Sequence, residues 1–371
     1  MLFVIGTLET GGAERQMINL AAALNQRGHE TSIAVLDGSG SLEGLAEEKG
    51  VPLHRLYRAR RAKRGPWALV QLVRQIRPDM VHPYLPKDNV RVTLVKPWLK
   101  RGRLVWGVRA SDLDLSRYPL RSRVLWPAAR RLSHWADLII ANSWAGAEYH
   151  TRAGYPADRM HVAPNGIDTD LFRPDVEAGH QFRKSLGISL DTPVVGLLGR
   201  FDPMKGHDDF LKILARVRSG NPNCVGLAVG AHTAAQREAY LAMARSLGLD
   251  GHVVVADRTP KPAAMLNAVD VLALPSVSEG FPNVVAEAMA CGTPCVVYDV
   301  GDAGRIVGDA RFVVARGDAD GFAAAILRVL SDRLASETLR QTVTEAYSQE
   351  ANAIRSEELL HYLVTHGAAR S

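Results

Sequence analysis

Val271-Leu272-Ala273-Leu274-Pro275-Ser276-Val277-Ser278-Glu279-Gly280-Phe281-Pro282-Asn283-Val284-Val285-Ala286-Glu287-Ala288-Met289-Ala290-Cys291-Gly292-Thr293-Pro294-Cys295-Val296-Val297-Tyr298 is the stretch whose reading decides the fold. Its first four residues are all apolar and stop at Pro275, which suits a strand buried on both faces. A loop carrying Glu279 and Gly280 follows. Pro282 stands where the first helical position is expected, because its missing N–H is no loss there. The run to Ala290 is helical in pattern, and Cys295–Tyr298 is a second buried strand after the turn. Strand, loop, helix, strand is the repeating unit of a parallel α/β sheet.

Working outward, the same rhythm fills the chain. Strands are expected at Val194–Leu198, Val225–Val229 and His252–Val255 in the second half, with helices over Asp208–Val217 and Ala235–Leu247 between them. In the first half they are expected at Leu2–Ile5, Thr31–Leu36, Met80–His82, Leu104–Val108 and Asp137–Ala141. The rhythm restarts after Pro164-Asn165-Gly166-Ile167-Asp168 and Phe172-Arg173-Pro174, a turn-rich stretch suited to a hinge. Two α/β domains, 1–168 and 169–349, are therefore expected, with a helix at about 350–371 packing back on the first. A chain of 371 residues accommodates two such cores.

The composition, 47% apolar and 23% charged, is that of a folded globular protein. Cys224, Cys291 and Cys295 lack ligand or disulfide spacing and read as reduced structural residues. Met1 runs straight into a strand pattern with no basic leader or cleavage site, so a cytoplasmic location is expected. No apolar run approaches the roughly 20 residues of a membrane span, so any membrane contact is peripheral.

Three segments carry chemistry. In Gly6-Thr7-Leu8-Glu9-Thr10-Gly11-Gly12-Ala13-Glu14-Arg15 the glycines fall between a strand and a helix start, where backbone N–H groups and the helix dipole favour an anion. The spacing is neither the dinucleotide fingerprint nor a P-loop, and a plain tight turn remains open. In Val194 to Asp208 a buried strand delivers Arg200 at its carboxyl end, where open α/β sheets bind ligands, and Lys205 follows at the mouth of a helix with Asp208 as its N-cap. Two cations there suit a diphosphate; two solvated surface cations are the alternative. In the opening stretch, Glu279 lies on the loop, Glu287 one turn into the helix, and the N–H groups of Gly280, Phe281, Pro282's neighbour Asn283 face the anion position.

Taken together and in order, Gly-Gly-Ala-Glu, Gly-Arg…Lys-Gly, Pro-Asn-Gly-Ile-Asp and Glu-Gly-Phe-Pro-Asn-Val-x-x-Glu-Ala-Met-Ala-x-Gly-x-Pro resemble the retaining GT-B glycosyltransferases of family 4, over nearly the whole chain. The resemblance implies two Rossmann-like domains facing across a cleft and a nucleotide diphosphate sugar, UDP-linked, as co-substrate. By matching position, Arg200 and Lys205 would hold the diphosphate and Glu287 the ribose. Glu279 would lie against the donor sugar, with Gly280, Phe281, Pro282 and Asn283 at the phosphates and Gly11 and Gly12 closing from the other domain. No metal and no other cofactor is implied, because the cation pair does that work. Transfer would keep the anomeric configuration by same-face attack, with the leaving phosphate helping to take the acceptor's proton. Two departures stand out. Arg109 replaces a common His after Leu104–Val108, and Val300-Gly301-Asp302-Ala303 replaces a common Gly-Gly. His82 and Arg109 are acceptor-side candidates, and for His82 a strand-end histidine satisfied by backbone is the alternative. Asp112-Leu113-Asp114 and His29 read as polar loop and turn residues, and Asp257-Arg258-Thr259 as a neighbour of the base only.

Residues 55–131 hold 20 Lys and Arg against 4 Asp and Glu, a balance of +16, while the remainder of the chain carries −10. Four of the six tryptophans, Trp67, Trp98, Trp106 and Trp126, lie in this segment. Cations attracted to an anionic leaflet and tryptophans that favour the interface predict a peripheral enzyme on the inner membrane face, working on a lipid-linked or polysaccharide acceptor in cell-surface glycan synthesis. A solvated basic face is the plainer reading. No nucleic-acid-binding signature accompanies the charge. A nucleotide-sugar 2-epimerase of similar architecture and a catalytically silent membrane-surface module are the rival functions.

Overall fold

The computed structural model describes residues 1–9, 11–58, 62–63, 66–98, 102–109, 120–231, 233–257, 261–332 and 336–366. The chain divides into two compact units, Met1–Gly166 with Gln349–Ser371, and Ile167–Ser348.

The first unit runs β1 (Leu2–Ile5), α1 (Gly12–Gln26), β2 (Ser32–Val35), α2 (Glu43–Glu48), β3 (Leu53–Arg55), β4 (Tyr57–Arg58), β5 (Ala62–Lys63), α3 (Pro66–Ile76), β6 (Met80–Pro83), α4 (Pro86–Val95), β7 (Arg103–Val108), α5 (Leu120–Leu132), β8 (Leu138–Ala141), α6 (Trp144–Arg152) and β9 (Met160–Val162). Its sheet has the order β3-β2-β1-β6-β7-β8-β9, parallel throughout, and β4 and β5 form a separate antiparallel pair. Strand order reverses between β1 and β6, so their carboxyl ends leave a crevice between diverging connections.

Alternation along β1 fills both faces. Phe3 and Ile5 pack with Met17 and Ile18 of α1, while Leu2 and Val4 pack with Leu69, Val70, Val73 and Trp106.

The second unit runs α7 (Val176–Ser185), β10 (Val194–Leu198), α8 (His207–Gly220), β11 (Val225–Ala231), α9 (Ala234–Ser246), β12 (Val253–Asp257), α10 (Pro262–Asn267), β13 (Val271–Leu274), α11 (Asn283–Ala290), β14 (Cys295–Tyr298), α12 (Ala303–Val307), β15 (Val313–Val314), α13 (Ala319–Asp332) and α14 (Ser336–Tyr347). The sheet order is β12-β11-β10-β13-β14-β15, again all parallel, with the reversal between β10 and β13. Ile167 N–H donates to the Tyr347 carbonyl at 2.7 Å, which holds the two ends of this unit side by side.

The last helix, α15 (Gln349–His366), belongs to the first unit and lies along α1, with Leu360 and Leu363 in that unit's core. Arg27 and His29, just beyond α1, pair with Glu350 and Glu357 of α15 at 2.6–2.7 Å. At the end of the first unit, the buried Gln16 amide donates to the Gly166 carbonyl and accepts from its N–H, both at 3.0 Å.

Two helix starts differ from expectation. Asp208 is not the N-cap of α8: Gly206 is, at φ +68, because the chain makes a left-handed turn there that an aspartate would adopt only under strain. Pro282 caps α11 from outside, its ψ of 92 being extended, so Asn283 is the first helical residue. Of the strands that pattern alone did not suggest, β4 and β5 are the separate two-residue pair, and β3, β9 and β15 are short edge strands of the two main sheets. Polar residues such as His54, Arg55 and His161 interrupt any apolar run in β3 and β9.

Candidate active site

In the second unit, β10 and β13 are hydrogen-bonded neighbours at the point of strand reversal, so the loops leaving their carboxyl ends meet. After β10 the chain passes Gly199 and the exposed Arg200 into one 3₁₀ turn, Pro203–Lys205. Asp202 shapes this turn: its carboxylate accepts from Met204 N–H at 2.9 Å and its carbonyl from Lys205 N–H at 2.9 Å. Val277 N–H then donates to the Met204 carbonyl at 2.9 Å, tying the β13 loop to the β10 loop. Gly206 is obligatory, since a Cβ on it would lie 1.9 Å from the Pro275 carbonyl oxygen.

The result is an ion pair built from both loops. Lys205 Nζ donates to Glu279 Oε1 at 2.7 Å, with the Glu279 side chain nearly buried and the Lys205 side chain about one-quarter exposed, at 27%. Gly280, Phe281 and Pro282 lead directly from Glu279 into α11, whose fifth residue is the half-buried Glu287. Gly301, at φ +57, lets the next loop close in, for its Cβ would lie 2.2 Å from the Glu279 carbonyl oxygen, and Asp302 N–H donates to the Gly280 carbonyl at 3.0 Å.

His207 was not singled out by the sequence, yet it fixes the turn. Its Nε2–H donates to the Arg200 carbonyl at 2.9 Å, its ring stacks on Phe201 at 4.1 Å, and its own carbonyl accepts from Tyr240 OH at 3.2 Å. Burial lowers the His207 pKa, which keeps the ring neutral and suited to this structural bond. Nothing in the pattern Lys205-Gly206-His207 distinguishes such a ring from a surface histidine.

The structure thus brings together Lys205 and Glu279, places Arg200 at the start of the same β10 loop, and puts Gly280 to Asn283 and Glu287 on the segment that follows Glu279. The remaining candidates lie in the first unit. Gly11 is the extended N-cap of α1, and Gly12 begins the helix. A Cβ on Gly11 would lie 2.0 Å from Glu14 Oε2, so a carboxylate of the chain itself folds over this turn. Burial raises the Glu14 pKa.

Nearby, Gly6 N–H donates to the buried Asp88 at 3.0 Å, and Asp37 takes ion pairs from Arg91 at 2.6 Å and Lys87 at 2.8 Å. His82 is buried within β6. Its Nδ1 donates to the Val105 carbonyl at 2.7 Å, while its Nε2 has no hydrogen-bond partner. Arg109, following β7, lays its guanidinium 3.7 Å over the Tyr84 ring.

The tryptophans of the basic segment divide. Trp106 is a core residue, its indole N–H donating to Thr93 Oγ1 at 2.9 Å, and Trp126 packs among Tyr149, His150 and Tyr155. Trp106 is therefore not a surface anchor, contrary to expectation, because an indole in an α/β core buries more apolar area than the interface offers, and Trp126 is half-buried. Trp67 and Trp98 are exposed, at 59% and 42%, and meet edge to face at 5.9 Å. Parts of the basic segment, Asp112-Leu113-Asp114 and Arg258-Thr259 lie outside the described residues. Among the described residues no His, Cys, Asp and Glu cluster suited to a metal occurs, and no helix is long and apolar enough to cross a membrane. All three cysteines are free and buried, with burial pushing the Cys224 thiol up to about 11.

Comparison with known proteins agrees with this architecture. Residues 10–171 match the family Glycosyltransferase Family 4 and residues 180–349 the family Glycosyl transferases group 1. A D-inositol 3-phosphate glycosyltransferase of Acidothermus cellulolyticus is 33% identical over 224 residues, 57% of this chain and 49% of that protein. One of the same description from Segniliparus rotundus is 36% identical over 172 residues, 45% of this chain and 38% of that protein. The chain thus spans half or less of the length of these curated relatives. In fold it is similar to Anabaena HepE, solved in complex with UDP, at a TM-score of 0.83 and 22% identity over 97% of this chain and 99% of that one. With both halves matched in sequence and two parallel Rossmann-like units in the structure, the chain belongs to the GT-B glycosyltransferases of family 4.

Proposed function

We propose that the chain is a retaining glycosyltransferase that moves a hexosyl or N-acetylhexosaminyl group from a UDP-linked sugar to a lipid-linked or polysaccharide acceptor. The observation that carries this reading is the Lys205–Glu279 pair at the strand reversal of the second unit, immediately before α11. An arriving diphosphate would share Lys205 with Glu279, take a second cation from Arg200, and lie where the first turn of α11 presents N–H groups. Glu287 would hold the ribose hydroxyls. As the bond from the anomeric carbon to the diphosphate oxygen breaks, the two cations stabilise the charge that develops on the leaving group. The new bond forms on the same face of the sugar, and the acceptor's proton passes to the departing phosphate. On this reading the basic pair replaces a metal.

UDP as the nucleotude partner is supported by HepE, which was solved with UDP and with UDP-glucose. The descriptions of the curated relatives make D-inositol 3-phosphate an acceptor worth testing beside lipid-linked glycans. The exposed Trp67–Trp98 pair within the basic segment supports work at an anionic membrane surface. The test is to incubate the purified chain with UDP-, GDP- and ADP-sugars and each acceptor class, with and without EDTA, and to assign product stereochemistry by NMR. An α-product from an α-linked UDP-sugar, insensitive to EDTA, is expected. An inverted product, or release of an epimerised sugar, contradicts the reading.

A further inference from the structure

In the first unit, the carboxyl ends of β6 and β7 hold a cation that has no counter-ion among the described residues. Arg109 follows β7 directly and is only partly exposed, with its Nε sealed from solvent and without a hydrogen-bond partner. Its guanidinium rests flat on the Tyr84 ring at 3.7 Å. Among the described residues no carboxylate pairs with it, although a desolvated cation ordinarily demands one. Burial lowers the Arg109 pKa, as expected for a cation deprived of both water and an anion.

The corner is built rather than incidental. Gly107 lacks a side chain because a Cβ there would lie 2.8 Å from the Tyr84 carbonyl oxygen, so the two strand ends are pressed together. Asn89 Nδ2 donates to the Gly107 carbonyl at 2.8 Å, and Asn142 N–H donates to the Val108 carbonyl at 3.0 Å, which fixes the residue before Arg109. His82 closes the corner, its ring 5.3 Å from that of Tyr84. Because the Val105 carbonyl only accepts, His82 Nδ1 carries the proton, and Nε2 presents a buried, unpartnered lone pair. Burial, with the Arg109 charge beside it, holds the His82 pKa down to about 3, so this nitrogen stays an acceptor at neutral pH.

We infer that Arg109, Tyr84 and His82 form a subsite for an anionic substituent, a carboxylate or a phosphate, that carries a hydroxyl beside it. Arg109 takes the anion, Tyr84 holds the guanidinium plane, and His82 Nε2 accepts the hydroxyl proton. Such a group is present in two kinds of substrate, the acidic sugar of a nucleotide donor and a phosphorylated acceptor. Naming the substrate this way rests on the glycosyltransferase reading; the anion subsite itself does not.

Isothermal titration separates the two. Wild type, Arg109→Met and Arg109→Lys are titrated with UDP, UDP-glucose and UDP-glucuronic acid, and separately with glucose, glucuronate and glucose 6-phosphate. At least one acidic ligand is expected to bind wild type about tenfold or more tightly than its neutral counterpart. Arg109→Met removes that preference, Arg109→Lys keeps part of it, and UDP binds all three alike. Equal binding of acidic and neutral ligands, or a preference that survives Arg109→Met, overturns the inference. Failure of UDP to bind wild type strikes the proposed function instead, and the free sugars then decide the subsite. Melting curves guard the comparison, since Arg109→Met removes a desolvated cation that no carboxylate among the described residues neutralises, and it is expected to melt no lower than wild type.

Discussion

Lys205 Nζ and Glu279 Oε1 meet at 2.7 Å although 74 residues separate them, because β10 and β13 are adjacent and Val277 ties their two loops. On the proposed reading this pair fixes the lysine in advance of the diphosphate. Lys205→Ala and Glu279→Gln are each expected to lower kcat by about 10²–10³, the loss typical of one preorganised group facing developing charge. Steady-state kinetics with a saturating donor check this. Unchanged kcat in both variants would leave the pair a structural ornament.

Gly206 couples the same two loops through backbone. At φ +68 and with Pro275 O only 1.9 Å from the position of a Cβ, Gly206→Ala has neither the conformation nor the space it needs. Destabilisation of about 1–3 kcal/mol is expected from the backbone strain alone, read as a lower urea midpoint at unchanged slope. Gly187→Ala, also at positive φ but with open space around it, isolates the strain from the clash and should cost less.

Asp88 sets a pH dependence. Burial, opposed by Arg91 and by Gly6 N–H and reinforced by Asp37, raises its pKa to about 6. An unfolded aspartate titrates near 3.9, so between about pH 4 and 6 the folded state binds the extra proton. Stability from this group therefore falls as pH rises through that window, by about 2–3 kcal/mol in total. His82, held neutral, pulls the other way in the same range, so the difference between wild type and Asp88→Asn is the quantity to measure. Asp88→Asn is expected to gain on wild type from pH 4 to 7 and to hold level above it. A flat difference would contradict the assignment.

Much of this was legible in the residues. The strands Leu2–Ile5, Val194–Leu198, Val271–Leu274 and Cys295–Tyr298 are short apolar runs, the first three ended by Gly or Pro and the last by Asp299, and the structure reproduces their bounds. Edge strands carrying His54, Arg55 or His161 lack that signal, since one side of such a strand faces water and tolerates polar residues. The meeting of Lys205 with Glu279 follows only from strand order, which alternation alone does not give. His207 and Tyr84 were illegible for a different reason: their roles depend on a carbonyl and a guanidinium that come within reach only after folding. Trp106 shows the reverse error, a tryptophan in a basic segment that belongs to the core.

The terminal helix α15 is held by packing more than by charge. Leu363 is buried against the first unit's core, whereas Arg27 and Glu357 meet at the surface. Leu363→Ala is expected to destabilise by about 2–4 kcal/mol. Arg27→Ala should do far less, and less still in high salt, because exposed ion pairs are weak and screened. Chemical denaturation of both variants at low and high salt checks the ranking.

The central claim is that a diphosphate is held at the Lys205–Glu279 corner. Calorimetric titration of UDP and of uridine into wild type, Arg200→Ala and Lys205→Ala tests it most directly. The account predicts that UDP binds wild type at one site and that each substitution weakens it about tenfold or more, while uridine binds all three proteins alike. Equal UDP affinity across the three proteins, or no binding to wild type, would contradict it.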